Sequence, residues 1–184
     1  FIGKVNGGSD IAIQDGNYIA NFGSNTNAFD GNWHQIAYTH NTNSNIGKLY
    51  LDGVLINTAS FTGSSNPIVF GLEVDGLEAY FNGAIDEVHI WNIALDSIQI
   101  QNYINCPPTG TETGLVGYWD FEEGSGTVLY DLTMNGNDGI IYGGAQFSGD
   151  VHYSSLTNSN GCDSTAILNL TINQGDTSYT NITA

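Results

Sequence analysis

The sequence contains no arginine and only two lysines, Lys4 and Lys48, against 19 acidic residues. Its formal net charge is therefore -17 over 184 residues. Such a chain would repel nucleic-acid backbones and anionic membrane surfaces, so we expect neither as a partner. The same acidity suits divalent cations or a solvated extracellular surface.

Long apolar runs and cysteine motifs are also missing. No apolar stretch approaches the roughly 18 residues that a membrane span needs, so we expect no membrane insertion. The sequence opens at Phe1 without a start methionine or a signal peptide, which predicts a piece of a longer protein. Cys106 and Cys162 are too far apart for a CxxC redox or zinc motif, and we expect a disulfide between them if the protein is secreted.

Short β-rich runs bounded by Gly, Asn, Asp and Ser recur along the chain, which predicts an all-β sandwich or barrel. Asp52-Gly53 predicts a hairpin between two of these runs, because a type I′ turn needs two residues that tolerate positive φ. One segment, 94–104, has the apolar spacing of a helix, with Asp96 or Ser97 as candidate caps. The short β-rich runs are residues 11–13, 18–20, 33–39, 48–51 and 54–56.

Two signatures resemble those of laminin G-like and pentraxin-like domains in the concanavalin A-like superfamily. Residues 33–39 (WHQIAYT) and 49–53 (LYLDG) resemble a strand pair of these domains, and 81–92 (FNGAIDEVHIWN) resembles their terminal core strand. The resemblance implies an antiparallel jelly-roll β-sandwich with one short helix. It also implies that Trp33, Trp91 and Trp119 lie in the core.

The resemblance also implies a domain organisation. Residues 1–147 would form the sandwich, although about two N-terminal strands of the family pattern are missing. Either the strand near 115–121 fills the vacancy, or the sandwich is incomplete and its unpaired edge favours association of two copies. Residues 148–184 would form a tail, since 156–172 (LTNSNGCDSTAILNLTI) resembles repeat modules of bacterial surface proteins. This tail would start an immunoglobulin-like repeat.

The loop 73–78 (EVDGLE) carries the candidate chemistry. It matches the E-x-D-x-x-E signature of family 16 glycoside hydrolases, but it follows the hairpin strands here and precedes them in those enzymes, which argues against catalysis. Its position resembles the pentraxin calcium loop instead, which implies Glu73 and Asp75 as calcium ligands. Calcium prefers such oxygen ligands. A hydrated acidic loop is the alternative.

Three further residues are candidates for the site. Asp86 resembles the Asp that holds a structural calcium in related modules, although an Asp there can also cap a turn. Glu78 and Tyr80 are candidate carbohydrate contacts, because an exposed Tyr ring can stack on a sugar face. Asp131 and Asn137 are weaker metal candidates, since Asp and Asn in Gly-rich loops usually make turns.

The resemblance implies a non-catalytic carbohydrate-binding or adhesion module of a secreted or cell-surface multidomain protein. Its partner would be a glycan or glycoprotein, and calcium would be the cofactor. A structural spacer within a long surface protein is the alternative, and a β-glucan glycoside hydrolase is the third possibility. Fold does not identify the ligand.

Overall fold

The computed structural model describes residues 2–4, 10–15, 18–24, 28, 30–60, 70–71, 81, 83–147, 152–157 and 163–168. The chain divides into two compact units, Phe1–Phe147 and Ser148–Ala184. In the second unit, β11 (His152–Thr157) pairs antiparallel with β12 (Asp163–Leu168).

The first unit contains ten strands and one helix among the described residues. Every strand pair in it is antiparallel, so the predicted all-β fold with one short helix is confirmed. The elements are β1 (Ile2–Lys4), β2 (Asp10–Asp15), β3 (Tyr18–Ser24), β4 (Ile36–Asn41), β5 (Ile46–Leu51), β6 (Val54–Ser60), β7 (Val88–Trp91), α1 (Ser97–Asn105), β8 (Leu115–Trp119), β9 (Val128–Leu129) and β10 (Gly139–Ile140).

One three-stranded sheet has the order β4-β5-β6. Its β5–β6 hairpin turns at Asp52 and Gly53, whose φ angles are 50° and 74°, so the predicted turn is confirmed. Successive side chains of β5 point to opposite faces. Leu49 is fully buried on one face, and Tyr50 is buried on the other, which shows that the sheet is covered on both sides.

Helix α1 covers the Tyr50 face of this sheet. Leu95 and Ile100 are buried together with Tyr50, and Trp91 and Tyr103 pack against them. Asp96 is the N-cap, as predicted: its carboxylate accepts the Gln99 N–H at 2.9 Å, and the Gln99 side chain accepts the Asp96 N–H at 2.9 Å. This reciprocal capping box fixes the start of the helix.

Strand β8 pairs antiparallel with β7, with Val88 opposite Trp119 and Ile90 opposite Gly117. The strand that follows the helix therefore folds back onto β7; whether it takes the place of the missing N-terminal strands stays a prediction. Trp119 is 7% exposed, as expected for a core residue, and packs edge-on against Phe70 with ring centroids 5.6 Å apart.

Trp33 differs from its prediction. It is 67% exposed, so its placement in the core was wrong. The reason is that β4 begins at Ile36 and not at Trp33, which leaves Trp33 outside the in-out alternation of the strand. Within the described ranges, no helix is long and apolar enough to cross a membrane.

Candidate functional site

Four of the five predicted site residues lie outside the described residues. They are Glu73, Asp75, Glu78 and Tyr80, all within 72–80. The calcium loop, the carbohydrate contacts and the hydrolase-like signature therefore stay predictions. Asp86 is described, and the structure shows its surroundings directly.

Asp86 belongs to an acidic cluster, which comprises Asp86, Glu87, Asp120 and Glu122. The antiparallel β7–β8 pair brings these carboxylates together, because the residues before Val88 lie beside the residues after Trp119. Asp86 Oδ1 accepts the Glu87 N–H at 2.9 Å. The backbone of Glu87 has φ 52°, in the left-handed region that non-glycine residues rarely adopt.

Burial and mutual repulsion disfavour negative charge in this cluster. Burial raises the pKa of Asp86, and the charge of Asp120 adds to the shift. Burial also raises the pKa of Glu87 to about 7, against the opposing effect of a hydrogen bond from the Tyr118 hydroxyl. That bond, from Tyr118 Oη to Glu87 Oε2, is 2.7 Å long.

The donor chemistry of the acidic cluster suits calcium, since all its side-chain ligands would be hard oxygens. The arrangement of these carboxylates does not by itself form a complete calcium site. Across the part of the chain that the structure describes, no three His, Cys, Asp or Glu side chains are arranged to hold a metal ion. A calcium ion at Asp86 would need ligands in addition to the described carboxylates.

His34 links the loop that carries Trp33 to the β5–β6 hairpin. Its Nδ1 lies 2.8 Å from Asp52 Oδ2, and its Nε2 lies 3.0 Å from Asp30 Oδ1. Asp52 also accepts the Gln35 N–H at 2.9 Å, and the Asp52 N–H donates to the Gln35 carbonyl at 2.9 Å. The W-H and D-G elements of the sequence signature are therefore joined by hydrogen bonds, a role that sequence reasoning missed.

Asp131 is a structural residue. Its Oδ1 accepts the N–H groups of Tyr118 and Thr133 at 3.1 and 2.9 Å. Its Oδ2 accepts the Thr133 hydroxyl at 2.8 Å and the Asn137 N–H at 2.9 Å. Since four protein donors occupy this buried carboxylate, it serves the loop and does not face a ligand. The Asn137 amide likewise donates to the Val116 carbonyl at 2.8 Å.

Exposed aromatic side chains are the other feature that sequence reasoning missed. Trp33, Tyr130 and Tyr142 all present most of their surface to solvent. Large exposed apolar side chains in groups mark interaction surfaces more often than isolated ones do. Tyr130 lies directly after β9 and Tyr142 lies two residues after β10, so strand alternation gives no signal for either residue.

Comparisons with known proteins agree with this fold. A family model described as the concanavalin A-like lectin/glucanases superfamily matches residues 3–101, which is more than half of the chain. No curated protein matches.

Two crystal structures are similar to this chain. One is a "putative carbohydrate binding protein" from Bacteroides ovatus ATCC 8483, with a TM-score of 0.55, 16% identity and coverage of 77% of this chain and 44% of that chain. The other is an S-layer domain-containing protein (residues 221-444) from Clostridium thermocellum ATCC 27405, with a TM-score of 0.35, 19% identity and coverage of 50% and 49%. The chain thus spans less than half the length of either protein. At 16% identity, the likeness to the Bacteroides protein shows a shared fold and nothing more.

Proposed function

Because the chain belongs to the concanavalin A-like lectin/glucanases superfamily, we propose that it is a non-catalytic carbohydrate-binding or adhesion module. The family match over residues 3–101 carries this proposal, and the name of the Bacteroides neighbour is in keeping with it. The parent would be a secreted or cell-surface multidomain protein. The glycan or glycoprotein would contact Glu78 and Tyr80.

A glycan array tests the binding function directly. We expect wild-type protein to bind at least one glycan and Tyr80→Ala to bind it more weakly, because the variant loses a ring that stacks on a sugar face. Tyr80→Phe is the matched control, since it keeps the ring. Absence of binding across the array, with calcium and with chelator, would contradict the proposal and favour the structural spacer.

Catalysis is not part of the proposed function. The EVDGLE motif follows the hairpin strands here and precedes them in family 16 hydrolases, which argues against the retaining mechanism in which two carboxylates lie about 5 Å apart. The check is release of reducing sugar from laminarin. Release that Glu73→Gln abolishes would establish a β-glucan hydrolase instead.

Calcium is the proposed cofactor, held by Glu73 and Asp75, with Asp86 as a second position. The acidic cluster supports the second position, because a bound cation would relieve repulsion among its carboxylates. Binding to the native state alone raises its stability by mass action. We expect millimolar calcium to raise the melting temperature and Asp86→Asn to reduce that rise, with magnesium as the control ion. A melting temperature that is the same in calcium and in chelator would refute the proposal.

A further inference from the structure

Three aromatic side chains connect strand β7 to helix α1. His89 and Trp91 belong to β7, and Tyr103 belongs to α1. The ring centroids lie 5.9 Å apart for His89 and Trp91, 5.6 Å apart for His89 and Tyr103, and 5.1 Å apart for Trp91 and Tyr103. These are contact distances for aromatic pairs. Trp91 and Tyr103 also pack against the buried cluster that contains Tyr50. The three rings, which form the aromatic cluster, therefore help to hold α1 in place.

A hydrogen bond within the aromatic cluster fixes the protonation state of His89. The Trp91 indole N–H donates to His89 Nδ1 at 2.7 Å. Because an indole nitrogen can only donate, Nδ1 is the acceptor and the neutral imidazole carries its proton on Nε2. Protonation of Nδ1 would place two N–H donors against each other and remove this bond. The edge of the indole ring is also positive, so it would repel an imidazolium ion.

Among the described residues, titratable groups face His89 from β8, from α1 and from the connector between them. Tyr118 lies directly opposite His89 on β8, and its hydroxyl donates to Glu87. Tyr103 contacts the imidazole from α1. Burial lowers the pKa of His89, against the opposing attraction of Glu112 in the connector. The surroundings of His89 therefore favour its neutral form in the folded protein.

We propose that His89 is an acid-sensitive switch, whose neutral imidazole holds α1 against β7 and whose protonation releases the helix. Protonation removes the hydrogen bond from Trp91 and puts a positive charge into the aromatic cluster. The contacts of Tyr103 with the other two rings are then lost, and with them the connection between α1 and β7. The apolar side chains that α1 covers, including Tyr50, become accessible to solvent. The switch does not involve glycan binding, so it is independent of the proposed function.

Proton linkage gives the sign and the size of the effect. While α1 is docked, the pKa of His89 lies below its ordinary range. Once α1 is released, the exposed imidazole regains an ordinary pKa of about 6.5. Between these two pKa values the released form binds more protons than the docked form, so acidification favours release. The released population rises by up to about tenfold for each pH unit of acidification below about pH 6.5.

Hydrogen exchange of the Ile100 amide, measured by NMR on the full chain, reports release of the helix. This N–H donates to the Asp96 carbonyl at 3.0 Å within the first turns of α1. We expect its protection factor to fall by up to about tenfold per pH unit below about pH 6.5, while the Leu49 amide in β5 keeps its protection. His89→Gln is the matched variant, because its amide oxygen accepts the indole N–H and does not titrate. Other titrating groups are common to both proteins, so the difference between them isolates His89.

A second measurement needs only the wild-type protein. Long-range proton–nitrogen correlation spectra should show His89 protonated on Nε2 at neutral pH, and the Trp91 indole resonance should shift as His89 titrates. A neutral imidazole protonated on Nδ1 would overturn the switch. So would the same pH dependence of Ile100 protection in wild type and His89→Gln, or an equal loss of protection at Ile100 and Leu49. If His89→Gln does not fold, the spectra and the comparison of the two wild-type amides decide.

Discussion

Asp131 holds the loop after β9 in one conformation, because its carboxylate accepts four hydrogen bonds. Replacing Asp131 by Asn leaves the side chain one acceptor oxygen and turns an amide donor towards N–H groups that previously donated to it. We expect the free energy of unfolding to fall by about 3 kcal/mol, because buried donors lose their acceptors. Urea denaturation measures the change. Thr133→Val removes the hydroxyl that donates to Asp131 Oδ2 at 2.8 Å and accepts the Asn135 N–H at 3.2 Å, and it should cost about 1–2 kcal/mol.

The stabilisation that the Asp131 carboxylate provides depends on pH. Burial alone would raise the pKa of Asp131, but the hydrogen bonds from Asn137, Thr133 and Tyr118 outweigh it and lower the pKa. A lowered pKa in the folded state means that the stabilisation is present above the unfolded pKa and is lost as pH falls through the folded value. Equal stability of wild type and Asp131→Asn at neutral pH would contradict this role.

His34 makes stability depend on pH in the opposite direction. Its hydrogen bond to Asp52, followed by that to Asp30, raises the pKa of the imidazole, so the stabilisation is complete below about pH 6.5 and is lost as pH rises through the folded pKa. We expect the melting temperature of wild type to fall more steeply between about pH 6 and pH 8 than that of His34→Gln. The pKa of Glu87 is also raised, so Glu87 lowers stability as pH rises, and this decline is the same in wild type and His34→Gln. His40→Gln is the control, and identical slopes for wild type and His34→Gln would contradict the prediction.

Among the elements, the β5–β6 hairpin depends on its contact with helix α1. Gly53 has φ 74°, and a Cβ added there would lie 2.5 Å from Gln101 Cγ. Its carbonyl accepts the Gln101 side-chain N–H at 3.2 Å. Gly53→Ala should therefore combine backbone strain with a steric clash and destabilise the protein by about 2–3 kcal/mol, measured by urea denaturation.

Gly124→Ala is the matched control for this change. Gly124 has φ 68°, but a Cβ added there would meet nothing within 4 Å. It therefore reports the cost of the left-handed backbone alone, about 1 kcal/mol. Equal destabilisation by the two variants would show that the contact between the hairpin and the helix contributes nothing.

Local rules predicted these elements well, and their failures have physical reasons. The hairpin at Asp52-Gly53 and the cap at Asp96 depend on residues within a few positions of each other, so the sequence specifies them. Trp33 was placed wrongly because the start of β4 depends on the contacts of Asp52, seventeen residues from Gln35. Of the four donors to Asp131, three belong to Thr133 and Asn137 in the same loop. The fourth, the Tyr118 N–H, depends on a tertiary contact that no local pattern encodes.

At the scale of the molecule, the first unit contains a pairing between two strands that the helix separates along the chain. Strand β8 follows the helix and returns to β7, and this return creates both the acidic cluster and the buried setting of Trp119. Burial of the apolar side chains of β8 favours the pairing, because an unpaired strand would leave them and its backbone groups exposed.

The last prediction concerns the covalent link expected between the sandwich and the tail. Cys106 ends helix α1 and forms a disulfide, while Cys162, the other cysteine of the sequence, lies outside the described residues. A Cys106–Cys162 bond would close a loop of 55 intervening residues, worth about 4 kcal/mol in the chain-entropy model. We expect peptide mapping without reduction to recover the two cysteines in one linked peptide, and reduction to lower the melting temperature. The Cys106→Ala/Cys162→Ala variant should melt at the temperature of the reduced protein and should not respond to reductant. Two free thiols, found by labelling the unfolded and unreduced chain, would contradict the link.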